Sequence, residues 1–113
     1  MLKNNETPYS REVPYTSPTG IKTVLYSIKT LAERLGRTTQ TVRKWEIGGV
    51  IPPTPFKIGN DRYYSEEHIR AIVNSAEKSK IKAGKQLSNT QFSSRCYRDF
   101  EELNKLFFGD NRE

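Results

Sequence analysis

From Ser27 onward the apolar residues recur at helical spacing. Ile28, Leu31, Ala32 and Leu35 fall at i, i+3, i+4 and i+7, which lines one stripe of a helix. Ser27 is a good N-cap and Gly36 a good left-handed stop for it. A second helix opens with Thr38 as N-cap, turns Val42 and Trp45 inward at i and i+3, and ends at Gly48-Gly49. Two short helices joined by a turn of one or two residues bury their stripes only by crossing steeply, so the pair predicts a helix-turn-helix. Just upstream, Ile21 to Tyr26 alternates and is β-rich, which predicts a short lead-in strand.

Downstream, Val50, Ile51, Pro52, Pro53 and Pro55 form an apolar stretch that the prolines keep extended. Phe56-Lys57-Ile58 and Arg62-Tyr63-Tyr64 then flank Gly59-Asn60-Asp61, a composition that closes β-hairpins. A hairpin directly after a helix-turn-helix reads as a wing. Ser65 caps a third helix that carries Glu66 and Glu67 in its first turn, where the helix dipole favours acids. Its inward stripe is Ile69, Ile72, Val73 and Ala76, and the pattern fades into Lys78 to Lys85. A last helix over 89–108 spaces Phe92, Cys96, Phe100, Leu103 and Phe107 by 4, 4, 3 and 4, with Gly109 as its stop. That stripe either closes the core over the third helix or forms a homo-oligomer seam through Phe92, Phe100, Leu103 and Phe107.

The expected fold is therefore mainly α, a winged helix-turn-helix with a short β-hairpin wing and an additional C-terminal helix. Pro8, Pro14 and Pro18 lie among polar residues and predict an extended or disordered N-terminal arm over 1–20. The winged domain is expected over 21–80, a basic linker over 81–88, the amphipathic helix over 89–108 and a tail over 109–113.

Composition narrows the function. The chain has 113 residues, 34% apolar, enough for one modest core and too few for a two-lobed enzyme. No apolar run approaches a membrane span or a secretory signal, so a soluble, cytoplasmic protein without membrane contact is expected. One cysteine, Cys96, and one histidine, His68, leave no Cys- or His-rich metal motif. No phosphate loop or nucleophile with a histidine partner is visible, so neither an enzyme nor a cofactor is expected. The net charge of +6 is uneven: residues 21–65 hold eight cations against three anions, a net +5, while residues 1–20 sum to zero and 86–113 to −1. The excess thus coincides with the helix-turn-helix and wing, as a polyanion-facing surface requires.

The stretch from Tyr26 to Arg70 resembles the winged helix-turn-helix domain of the MerR superfamily, a design related to phage excisionases and to the DNA-binding domain of small terminase subunits. The resemblance rests on Ser27-Ile28 with Leu31-Ala32 and Leu35-Gly36, then Thr38, Thr41-Val42-Arg43, Trp45-Glu46, Gly49, Pro52-Pro53 and the run Arg62 to Glu67. It covers about 45 of the 113 residues. It implies double-stranded DNA as the partner. It does not carry over effector sensing, because the long dimerisation helix and the cysteine-bearing effector site of MerR-type regulators have no counterpart here.

The residues themselves point the same way. A helix N-terminus offers free N–H groups and a positive dipole end to phosphate. With Val42 and Trp45 facing the core, Arg37, Thr38, Thr39, Gln40, Arg43 and Lys44 remain for the major groove. Gln40 and Arg43 are the base-reading candidates, because an amide matches adenine and a guanidinium matches guanine in bidentate fashion. Arg37 and Lys44 suit phosphates. In the wing, Lys57 and Asn60 sit where backbone or minor-groove contact occurs, and the resemblance adds Arg62 and Tyr63. The plainer alternatives are an exposed helix residue for Arg43 and, for Arg62, a bond within the fold that ties the wing to the first helix. Trp45 and Cys96 read as core, and His68 as a solvated or hydrogen-bonded residue on a helix flank.

A small sequence-specific DNA-binding transcriptional regulator is the leading expectation. The alternatives are a phage-type architectural protein, such as an excisionase or small terminase subunit, and a winged-helix adaptor that binds a polymerase or virion component.

Overall fold

A computed structural model describes residues 12–78 and 90–109. Eight elements follow one another: β1 (Glu12–Thr16), β2 (Lys22–Ser27), α1 (Ile28–Leu35), α2 (Thr39–Ile47), β3 (Phe56–Ile58), β4 (Asp61–Ser65), α3 (Glu66–Lys78) and α4 (Thr90–Phe108). The mainly α winged helix-turn-helix is present, and every helix lies within a residue or two of its predicted place.

Local chemistry explains the boundaries. Gly36 has φ 69, and its N–H and that of Arg37 return to the carbonyls of Glu33 and Ala32, which closes α1. Two residues later the Thr38 hydroxyl accepts from the Thr41 N–H at 3.2 Å and starts α2. Gly59, with φ 63, opens the two-residue turn between β3 and β4, where Ile58 pairs with Asp61.

The sheet is larger than the wing alone. All strands are antiparallel in the order β1-β2-β4-β3. Part of the expected N-terminal arm, from Glu12, is a paired edge strand; residues 1–11 lie outside the described residues. Val13 and Tyr15 turn inward while Glu12, Pro14 and Thr16 face out, the period-two pattern of a half-buried strand. Pro14 is tolerated because β1 is an edge. Reading the prolines as breakers hid this short alternation.

Two cores result. The larger joins Leu31, Ala32, Val42, Trp45, Ile51, Tyr64, Ile69 and Ile72 to Phe92, Cys96 and Phe100 of α4. The smaller joins Leu25 and Phe56 to Phe107, with Val13, Tyr15 and Ile21 of the N-terminal hairpin packed against them. The aromatic stripe of α4 joins both cores. Phe92, Phe100 and Phe107 are at most 2% exposed within one chain, and Leu103 packs on the smaller core. Phe92, Phe100 and Phe107 are therefore spent on the chain's own core, and Leu103 is half-buried against it.

α4 is held by polar contacts as well. The Tyr97 hydroxyl donates to the Gly49 carbonyl at 3.0 Å, just past the end of α2. At the other end the Thr19 hydroxyl, in the β1–β2 turn, reaches the carbonyls of Leu106 at 2.6 Å and Phe107 at 3.0 Å. Those carbonyls belong to the last turn of α4 and lack partners within the helix. His68, expected on a flank, is fully buried between α3, α4 and the wing base. It follows Ser65 by three residues, so it sits at the inward edge of the stripe that starts at Ile69. The linker over 81–88 lies outside the described residues.

Candidate nucleic-acid interface

Burial of Val42 and Trp45 fixes the orientation of α2 and leaves Gln40, Arg43 and Lys44 exposed at i, i+3 and i+4. Ile47, 82% exposed, continues this face one turn on. Beside it lies a groove of about 970 Å³ between the helix pair and the wing. Thr38, Thr39 and Arg43 line it from α2, and Asn60, Arg62 and Tyr63 from the wing. α1 contributes Lys29 and Glu33, and Asp61 lies at the wing turn.

Six of the ten sequence-selected residues therefore border one groove. Gln40 and Lys44 stand on the adjoining outer face of α2, and Lys57 is exposed on β3. Arg37 is placed differently: its guanidinium carbon lies 5.5 Å from the ring centroid of Trp45, a cation–π distance. Arg62 makes an ion pair within the fold, its Nε standing 3.4 Å from Glu46 Oε2, so it ties the wing to α2 and not to the first helix.

The positive charge is partly neutralised inside the domain. Arg34 pairs with both oxygens of Glu66 at 3.0 Å, and Arg70 reaches Glu66 at 2.8 Å. The hydrogen bond from Arg34 is the main reason that the Glu66 carboxyl sits below its ordinary range, against an opposing effect of burial. Arg34 is thereby tied to the start of α3. Arg43, Lys44 and Lys57 make no ion pair among the described residues, so their charge is available to an external anion.

A family model described as MerR HTH family regulatory protein matches residues 26–74. Those residues run from the end of β2 to within α3 and contain the whole helix pair and wing. Residues 26–74 form a MerR-like helix-turn-helix domain. An HTH-type transcriptional regulator, the ZntR homolog of Haemophilus influenzae, is 44% identical over 45 residues, which is 40% of this chain. The match spans about a third of that relative's length, 33%. No solved structure matches the chain.

In the MerR-type domain the groove is built by three elements, whereas the sequence assigned it to α2 and the wing. Lys29 was missed on that account. The signal for it was present: it lies one residue beyond Ile28, off the inward stripe, on a helix that must cross α2 closely. Glu46 was noted only as part of the Trp45-Glu46 pair. Its burial comes from contact with the wing, which helical periodicity alone does not report. Most of the N-terminal hairpin and all of α4 fall outside the matched domain, yet they pack on its wing. Phe56 of β3 meets Tyr15 at 5.2 Å and Phe107 at 5.8 Å between ring centroids, so the added elements brace the wing from behind.

Proposed function

We propose that this chain binds double-stranded DNA sequence-specifically and acts as a small transcriptional regulator. Helix α2 enters the major groove, and the wing lies on the backbone or in the minor groove. One observation carries the reading: Gln40, Arg43 and Lys44 share the outward face of α2 beside the wing-bordered groove. Gln40 and Arg43 read base edges. Lys44, Lys57, Asn60, Arg62 and Tyr63 contact the backbone, and the N-terminus of α2, with Thr38 and Thr39, faces phosphate. Arg37, stacked on Trp45, supports the rim of this surface.

Net charge supports the same reading, since the excess falls on the segment that builds the groove. Among the described residues no helix is long and apolar enough to cross a membrane. Selection of bound sequences from random duplex DNA tests the proposal. Enrichment of a defined motif is the expected result. Binding without enrichment would leave a non-specific DNA-binding protein, and no salt-dependent binding at all would overturn the DNA reading.

A further inference from the structure

Glu46 is the one charged side chain among the described residues whose buried atoms lack any hydrogen-bond partner. Its side chain is 5% exposed, and its near cation, Arg62 Nε at 3.4 Å, makes an ion pair without hydrogen-bond geometry. The hydroxyl of Tyr64, two residues along β4, is also buried without a partner. Burial, and then the charge of Glu46, raise the pKa of that hydroxyl. Desolvating a carboxylate beside so little compensation is unfavourable, and a neutral side chain of the same shape would serve stability better. The charge therefore points to a role other than holding the fold.

Its position supplies one. Glu46 follows Arg43 by three residues on α2, and Arg62 lies on the wing strand, half exposed and lining the groove. The buried Glu46 carboxylate meets the guanidinium at Nε. Its Nη1 and Nη2 are then the donors left for the groove, and that parallel fork matches two oxygens of a phosphate. The geometry points to Glu46 as a positioning residue, a buried carboxylate that holds Arg62 by Nε so that its Nη pair is presented as a bidentate phosphate clamp. This rests on the duplex-DNA reading above.

A merely local ion pair and a clamp differ in sign. Removing a negative charge beside a polyanion site tightens binding by simple electrostatics, whereas removing the support of a phosphate-binding arginine weakens it. The test uses the full chain, a pool of random-sequence duplexes and fluorescence anisotropy over a salt series, with circular dichroism to confirm folding. Glu46→Gln is expected to weaken binding roughly three- to tenfold and to lower the salt slope by about 0.9, the loss of one phosphate contact. Arg62→Ala is expected to do the same, and the double variant to be no weaker than Arg62→Ala alone. Arg62→Lys, at an exposed position, keeps the charge but not the fork, and is expected to lose most of what Arg62→Ala loses. Tighter or unchanged binding by Glu46→Gln, losses that multiply in the double variant, or wild-type behaviour of Arg62→Lys would each overturn the clamp while leaving DNA binding intact. Absence of salt-dependent duplex binding by the wild type would overturn both.

Discussion

His68 Nε2 and Asn104 Oδ1 lie 2.9 Å apart, a bond that crosses from α3 to α4 with a fully buried imidazole at one end. With Asn104 Oδ1 as acceptor, Nε2 carries the proton, and Nδ1 accepts from the Ser65 hydroxyl at 2.6 Å. The same hydroxyl oxygen accepts the His68 backbone N–H at 3.0 Å. Neutral His68 is thus fully satisfied. Phe56, Phe100 and Phe107 surround it, with ring centroids at 4.7 to 5.5 Å, so a second proton would be held in an apolar cage.

That arrangement makes folding pH-dependent. Burial lowers the His68 pKa from 6.5, against opposing effects of the Asn104 bond and the Glu67 charge. The unfolded chain then binds more protons than the folded one between the lowered value and 6.5, so stability rises with pH across that interval, and its loss begins as pH falls below about 6.5 and continues down to the folded-state value. Urea denaturation at pH 7.5 and 5.5 is expected to show a lower midpoint at the acid value. His68→Gln removes this step, and an unaltered pH dependence in that variant would refute the assignment. The contribution of Glu66 is separable, because its pKa is lowered from 4.5 and its stabilisation disappears only below that range.

Thr19 caps the end of α4 from the β1–β2 turn. Thr19→Val keeps the shape and removes both hydrogen bonds, with an expected cost of about 1 to 2 kcal/mol. Phe107→Ala empties a site at the meeting point of the hairpin, wing and α4, and about 3 to 5 kcal/mol is expected. Both are read from equilibrium denaturation. A cost near zero for Phe107→Ala would mean that α4 is not part of the cooperative unit.

How much of this was legible depended on whether a signal was local. The helix pair, the wing and the third helix announce themselves through spacing and caps: Ser27 and Thr38 before their stripes, Gly36 and Gly59 where the backbone turns left-handed. The α4 stripe was visible too, but its partner was not. Phe92 and Phe107 at helical spacing look the same whether they face another copy or their own chain, and only the tertiary arrangement decides. Strand β1 was concealed by Pro14, which an edge strand admits and a central one does not. His68 and Glu46 were misjudged or passed over for one reason: polar side chains are buried by contacts from distant elements, here α4 for His68 and the wing for Glu46.

At the candidate interface, Arg43 and Lys57 give a contrast that mutation can resolve. Both are exposed and make no ion pair among the described residues, so substituting either leaves the fold intact. Arg43 lines the groove from α2, and under the proposed DNA reading its guanidinium would reach paired acceptors on a base edge. Lys57 is on the wing strand, and under the same reading its ammonium would meet phosphate as a point charge. On a selected sequence Arg43→Ala should cost about 1 to 3 kcal/mol and relax preference at one base position, while Lys57→Ala should weaken all sequences alike and lower the salt slope by about 1. Affinities across a set of single-base variants, measured at several salt concentrations, separate the two. If Arg43→Ala weakens every sequence equally, α2 touches only the backbone, and sequence reading must reside elsewhere on the groove.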